Sequence, residues 1–228
     1  MKSKFYLIIP LLFCKMIIAQ ESFPNLEDNP SWKVVNTITS YPETQTLLEY
    51  QLENDTLINS VIYQKITNDA GYIRLLNDKV YYRLKSDSKD FLLYDFDLNV
   101  SDTVYCGFNL NESNDLDSIK YWVIHMDSVI LEDGKHKRLT MNYNPTNDYV
   151  ASMDWIEGVG STIHPFYSSI SLGVPGSSKE LLCFHLGSTK IFQNSSYSDC
   201  SITTSLNDVQ KKKKHSNISE SLFRLCYC

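Results

Sequence analysis

Basic residues are scarce in the body of this chain. It holds 21 Lys+Arg against 27 Asp+Glu, but Lys2, Lys4 and Lys15 fall in a leader-like start. Lys211 to Lys214 and Arg224, with a single acid, Glu220, fall in the last stretch. Between Gln20 and Gln210 that leaves 13 basic and 26 acidic residues, a charge near −13 where the whole chain shows −6. Such a deficit excludes nucleic acid and anionic membrane surfaces as partners, since both require basic patches. It suits a solvated extracellular surface. With 8 glycines and 7 prolines, the chain has too few of either for a low-complexity or collagen-like protein. Helical periodicity is nearly absent. After the leader no apolar run approaches the roughly 20 residues of a spanning helix, so no transmembrane segment is expected once the leader is removed. The histidines, His125, His136, His164, His185 and His215, show no close metal-ligand spacing.

Met1 to Ala19 has the layout of a secretory signal: Lys2 and Lys4, an apolar run from Phe5 to Phe13, then Ile17-Ile18-Ala19 before Gln20. Residues 1–19 are therefore read as a signal peptide and 20–205 as one all-β domain. The remaining segment, 206–228, is read as a linker and remnant. Cys14 leaves with the signal, and Cys226 and Cys228 lie in the last segment, so Cys106, Cys183 and Cys200 are the cysteines of the body. In an oxidising compartment a Cys183–Cys200 bridge would close a short loop and contribute about 3 kcal/mol, with Cys106 the odd thiol. The alternative is three buried, unpaired cysteines.

What is present is alternation. In Phe91 to Leu98, Leu92, Tyr94, Phe96 and Leu98 share one face and Asp95 and Asp97 the other, the pattern of a half-buried strand. The same reasoning turns Trp122, Ile124 and Met126 inward with His125 outward, and makes Val80, Tyr82 and Leu84 a third stripe. Turn residues separate the runs at Asn54-Asp55, Asp69-Ala70-Gly71, Asn77-Asp78 and Ser101-Asp102, and Asp133-Gly134 marks the clearest hairpin. Short strands at regular spacing predict a single antiparallel meander of about nine to eleven strands, closed as a barrel or folded as a sandwich.

No catalytic constellation stands out. Glu157 offers a carboxylate, but Asp154 lies three residues away and on a strand would face the other side. Ser161, His164 and Asp154 hold the letters of a hydrolytic triad without a nucleophile elbow. The stretch Asn109 to Ser118 is dense in oxygen ligands and offers a place for Ca²⁺, yet lacks the glycine and terminal glutamate of a helix–loop site, so a solvated loop is the competing reading and no other cofactor is expected. In Trp155-Ile156-Glu157-Gly158-Val159-Gly160-Ser161 the two glycines permit positive φ or close backbone approach, and Trp155 supplies an apolar anchor, which reads as a structural turn.

That string resembles a Trp-Ile-Glu-Gly-Ile-Gly-Ser signature of secreted Bacteroidetes proteins that end in a type IX C-terminal sorting domain. Asp55 to Asn59, Val61 to Lys65, Gly71 to Arg74, Lys79 to Tyr81, Leu93 to Phe96 and Leu181 to Phe184 fit the same family, which covers most of Trp32 to Cys200. The final stretch adds to this resemblance. Lys211 to Lys214 imply an adenine-rich tract, and reading the following codons one nucleotide later permits Ile-Gln-Ile-Tyr-Pro-Asn-Pro-Phe, similar to the opening of a sorting domain. The resemblance implies export by the type IX secretion machinery to the cell surface or medium, or arrest in the periplasm if the present frame is the real one. Four Asp-hydroxyl-aliphatic triplets, centred on Thr56, Thr103, Ser118 and Ser128, resemble the O-glycosylation acceptor pattern of such exported proteins, although a turn aspartate entering a strand gives the same letters.

The expected function is non-catalytic: a secreted or surface protein acting in adhesion or binding an extracellular polymer such as a glycan. The alternatives are a polysaccharide-acting hydrolase or lyase near Glu157 or Asp154, and a barrel carrying a small apolar ligand.

Overall fold

Period-two alternation carries through into extended backbone along most of the chain. The computed structural model describes residues 23–24, 26–39, 43–68, 70–85, 89–110, 116–143, 152–166 and 177–202. The proposed signal peptide, 1–19, and the segment 206–228 lie outside the described residues. The strands are β1 (Pro30–Ile38), β2 (Thr44–Ile58), β3 (Val61–Ile66), β4 (Gly71–Leu76), β5 (Lys79–Arg83), β6 (Phe91–Asp95), β7 (Thr103–Leu110), β8 (Leu116–Leu131), β9 (Gly134–Asn142), β10 (Met153–Ile156), β11 (Gly160–Ser161), β12 (Ser177–Leu186) and β13 (Thr189–Gln193). The described chain is all-β as its alternation predicts, and apart from one 3₁₀ turn at Leu26–Asp28 it holds no helix. Thirteen strands exceed the nine to eleven expected. Part of the excess is β10 and β11, four and two residues long, which are too short to show as alternation.

The strands form an eight-stranded sheet, ordered β13-β12-β1-β2-β3-β4-β5-β6, and a five-stranded sheet, ordered β11-β10-β9-β8-β7. Both are antiparallel and curled into half-barrels. The meander is interrupted once, where β12 returns to pair with β1, so the last hairpin completes the sheet that the first strands began. Two connections are two-residue hairpins with both residues at positive φ: Asn59-Ser60 (49° and 65°) and Asn77-Asp78 (52° and 60°). That is the twist-matched turn that asparagine and aspartate tolerate. The predicted Asp133-Gly134 hairpin forms with Glu132 and Asp133 in the loop and Gly134 paired to Leu131.

Three expectations need correction. Asn54-Asp55 is not a turn: β2 runs through it, and the pairing with β3 shifts register between Leu52 and Asp55, a bulge that uses turn-prone residues without reversing the chain. On β8 the inward pair is Tyr121 and Val123, both buried, whereas Ile124 and Met126 are 43% and 38% exposed and Trp122 is half-buried. A bulge between Val123 and His125 inserts Ile124, so one phase of alternation cannot hold across it. Finally, Phe91 to Phe96 is not a one-faced strand. Tyr94, Phe96, Leu92 and Leu98 do join the core, but Phe91, Leu93 and Asp95 are buried too, Asp95 by an ion pair with Lys79 Nζ at 2.5 Å.

Between the sheets lies one core built largely from rings. Phe23 stacks on both Trp32 and Tyr94, with ring centroids 5.7 Å apart in each case, and Trp32 also meets Phe166 and Phe184 at 5.0 and 5.1 Å. A smaller cluster, Val35, Leu182 and Cys183, sits on the other side of β1 and β12 beneath Tyr197, Cys200 and Ile202. The Cys183–Cys200 disulfide ties that covering segment down. Cys106 is buried in the main core.

Candidate functional site

The Trp155–Ser161 motif is a joint between the sheets. Trp155 pairs with Ser161 and Ile156 with Gly160, leaving Glu157-Gly158-Val159 as the turn, closed by Val159 N–H donating to Ile156 O at 3.0 Å. Gly158 and Gly160 have φ of 75° and 103°. Trp155 is buried, edge-on to Tyr94 at 5.2 Å, and its indole nitrogen has no hydrogen-bond partner among the described residues. Its ring thus serves through size. Hydrogen bonds between this region and the eight-stranded sheet include Trp32 Nε1–H donating to Val159 O (2.9 Å), Tyr94 O–H donating to Pro165 O (2.6 Å), Ser161 N–H donating to Tyr94 Oη (2.9 Å) and Leu181 N–H donating to Thr162 O (2.8 Å).

The carboxylates suggested for acid/base work are held apart by different partners. Glu157 is half-buried in the turn, where its Oε2 accepts Lys137 N–H at 3.4 Å. Asp154 Oδ1 accepts the Thr140 hydroxyl at 2.8 Å, and its Oδ2 lies 3.7 Å from Arg138 Nη1. His164 is buried: Phe166 N–H donates to Nδ1 and Nε2 meets Tyr50 Oη, both at 3.2 Å. Since Nδ1 accepts, the proton resides on Nε2, and burial first, then the charge of Lys179, holds its pKa well below the ordinary imidazole value. With both ring nitrogens so engaged and Asp154 bound to Thr140 and Arg138, the triad letters are not assembled as a relay.

Of the four hydroxyl positions, Thr103 and Ser128 are exposed, and Thr56 and Ser118 are half-buried. The oxygen-rich stretch 109–118 falls largely outside the described residues. Among the described residues no group of three or more His, Cys, Asp or Glu is arranged to hold a metal, and no helix is long and apolar enough to cross a membrane.

The five-stranded sheet presents on its outward face a platform that the alternation argument missed. Tyr105 pairs with Lys120 and Thr103 with Trp122, so Tyr105 and Trp122 are diagonal neighbours on one face. Tyr105 is 60% exposed. Lys120 Nζ lies 5.9 Å from the Tyr105 centroid and 4.9 Å from that of Trp122, a cation over two rings. Beside them Arg138 grips Asp127 through two bonds, Nε to Oδ1 at 2.8 Å and Nη2 to Oδ2 at 2.5 Å, and that grip holds the Asp127 carboxyl below the usual range. His125 stands 3.7 Å from Asp127 and is largely exposed. No family model, curated protein or solved structure matches this chain. The readable signal for the platform was Tyr121-Trp122-Val123: placing the indole outward fits β-sheet chemistry as well as placing it inward, and only the packing chooses.

Proposed function

We propose that this chain is a non-catalytic secreted or cell-surface protein that binds an extracellular glycan through the outward face of β7 and β8. The observation that carries the reading is the Tyr105–Lys120–Trp122 platform: two aromatic side chains displayed side by side on a sheet, one of them mostly exposed, with a polar rim of His125, Asp127 and Arg138. Apolar faces of sugar rings stack on such rings, and the rim supplies donors and acceptors for hydroxyls. The disulfide suits an oxidising compartment, and the acidic body suits an exposed, solvated surface. Under this reading the protein travels as type IX cargo, with O-glycans on Thr103 or Ser128.

A hydrolase or lyase would need two convergent carboxylates, and Asp154 and Glu157 are committed to separate partners. A carrier of small apolar ligands would need the space that Phe23, Trp32, Tyr94, Trp155 and Phe166 occupy.

The test is a glycan array read with and without Ca²⁺, repeated with Tyr105→Ala and Trp122→Ala. Binding that falls about tenfold or more in both variants supports the platform. Absence of binding to every glycan, in either condition, overturns it.

A further inference from the structure

A second outward face carries a more regular pattern. Tyr63-Gln64-Lys65, Tyr72-Ile73-Arg74 and Tyr81-Tyr82-Arg83 repeat Tyr-x-cation at a spacing of nine residues, one copy on each of β3, β4 and β5. Antiparallel pairing sets Lys65 opposite Tyr72, Tyr72 opposite Arg83, and Arg74 opposite Tyr81. The intervening residues Ile73 and Tyr82 belong to the core, so the six repeat residues lie on the opposite face, where Tyr63 and Arg83 are buried beneath their neighbours and Lys65, Tyr72, Arg74 and Tyr81 are half-buried. The result is a two-row lattice in which tyrosines and cations alternate: Lys65, Tyr72, Arg83 in one row and Tyr63, Arg74, Tyr81 in the other. Arg74 lies over Tyr63 and Tyr81, 5.7 and 5.2 Å from their centroids, and Arg83 over Tyr63 at 4.8 Å.

One carboxylate anchors the lattice. Asp90 accepts Arg74 Nε–H and Arg83 Nε–H at 2.7 Å each and the Tyr63 hydroxyl at 3.0 Å. Lys65 pairs with Glu53 at 2.6 Å. Both guanidinium groups thus share the Asp90 carboxylate. Arg74 commits its Nε edge, and among the described residues neither of its terminal nitrogens makes a hydrogen bond. Its side chain is 22% exposed, fixed by two rings and one carboxylate with its Nη1/Nη2 edge open.

We propose that this lattice is a binding site for a carboxylate-bearing sugar, a uronate unit of an acidic polysaccharide. The open edge of Arg74 offers two coplanar N–H donors, which match the two oxygens of a carboxylate better than a single-point cation does. The half-buried rings of Tyr72 and Tyr81 flank it as apolar surface for the sugar ring. The site is independent of the Tyr105–Trp122 platform, which lies on the other sheet.

The test is calorimetric titration of the full chain at fixed low ionic strength with tetragalacturonate, its methyl ester, and a sulfated tetrasaccharide. The uronate binds, and the ester and the sulfated oligomer each bind about tenfold or more weakly than it does. Arg74→Lys keeps the charge and removes the fork, and lowers uronate affinity about tenfold, whereas Tyr105→Ala leaves it unchanged. In wild-type protein the uronate, and not its ester, slows phenylglyoxal modification of Arg74, a readout that survives misfolding of the variant. Equal affinity for the ester, tighter binding of the sulfated oligomer, sensitivity to Tyr105→Ala instead of Arg74→Lys, or an unprotected Arg74 would each overturn the proposal.

Discussion

Tyr94 concentrates much of the fold in one hydroxyl. It is wholly buried, donates to Pro165 O and accepts from Ser161 N–H, and burial drives its pKa far above the ordinary phenol value, so it stays a neutral donor at any working pH. Tyr94→Phe keeps the ring and orphans a buried carbonyl and a buried amide. The expected cost is about 2–4 kcal/mol, read from the midpoint of urea unfolding. Gly160 faces that same hydroxyl: a Cβ would stand 3.0 Å from Tyr94 Oη, at a φ of 103°. Gly160→Ala is expected to cost about 2–3 kcal/mol. The comparison is Gly187→Ala, where φ is 55° and nothing lies within 4 Å of the added carbon, with about 1 kcal/mol expected. Equal losses at the two positions would show that the approach to Tyr94 is not what selects glycine. His164 sets a pH dependence. Its folded pKa lies well below 6.5, so in acid the unfolded chain protonates first. Its contribution is complete above pH 6.5 and is lost as pH falls below that value towards the folded pKa, by at most about 1.4 kcal/mol per pH unit. His185 is shifted the same way by burial and adds to the slope. Denaturant midpoints measured from pH 7.5 to 5 should fall, and the fall should shrink in His164→Asn.

At the level of elements, the sheets differ in how their outward faces are covered. The β1–β12 face is closed by the segment carrying Tyr197, Cys200 and Ile202, and Cys183–Cys200 encloses a loop with a sequence separation of 17. Reduction should cost about 3 kcal/mol on the loop-entropy account and raise amide exchange in β12 and β13 before other strands. Exchange rising uniformly would mean that the bridge supports the whole fold. Among the described residues nothing comparable closes the β7–β8 face over Tyr105, whose ring is 60% exposed. The Asp-hydroxyl-aliphatic triplets also divide by element. Thr103 opens β7 and Ser128 lies along β8, both exposed, while Thr56 and Ser118 are half-buried. Intact-mass analysis of native material should show added glycan mapping to Thr103 or Ser128, and polypeptide mass alone would remove that modification.

For the whole molecule, the two sheets share one core, and the faces proposed for binding look outward from different sheets. A protein with two such faces can hold two polymer chains, and each face adds avidity to the other when both engage one polymer. The all-β class, the Asn77-Asp78 turn, the hairpin at Asp133-Gly134 and the Cys183–Cys200 pairing were legible in the amino-acid order, because each rests on short-range chemistry: alternation, turn conformations and the supply of cysteines. The Tyr-x-cation spacing over residues 63–83 was also written there, although its meaning appears only when antiparallel pairing lays the three copies side by side. What the tertiary structure alone decided was phase and partnership. Bulges at Leu52/Asp55 and Val123/His125 shift which residues face the core, and local sequence does not tell them from a turn or from unbroken alternation, because a bulge is selected by how the strand packs against its neighbours. Trp122 is outward and Tyr94 reaches Pro165 for that same reason. Alternation says that a strand has two faces, and only the opposing sheet says which of them is buried.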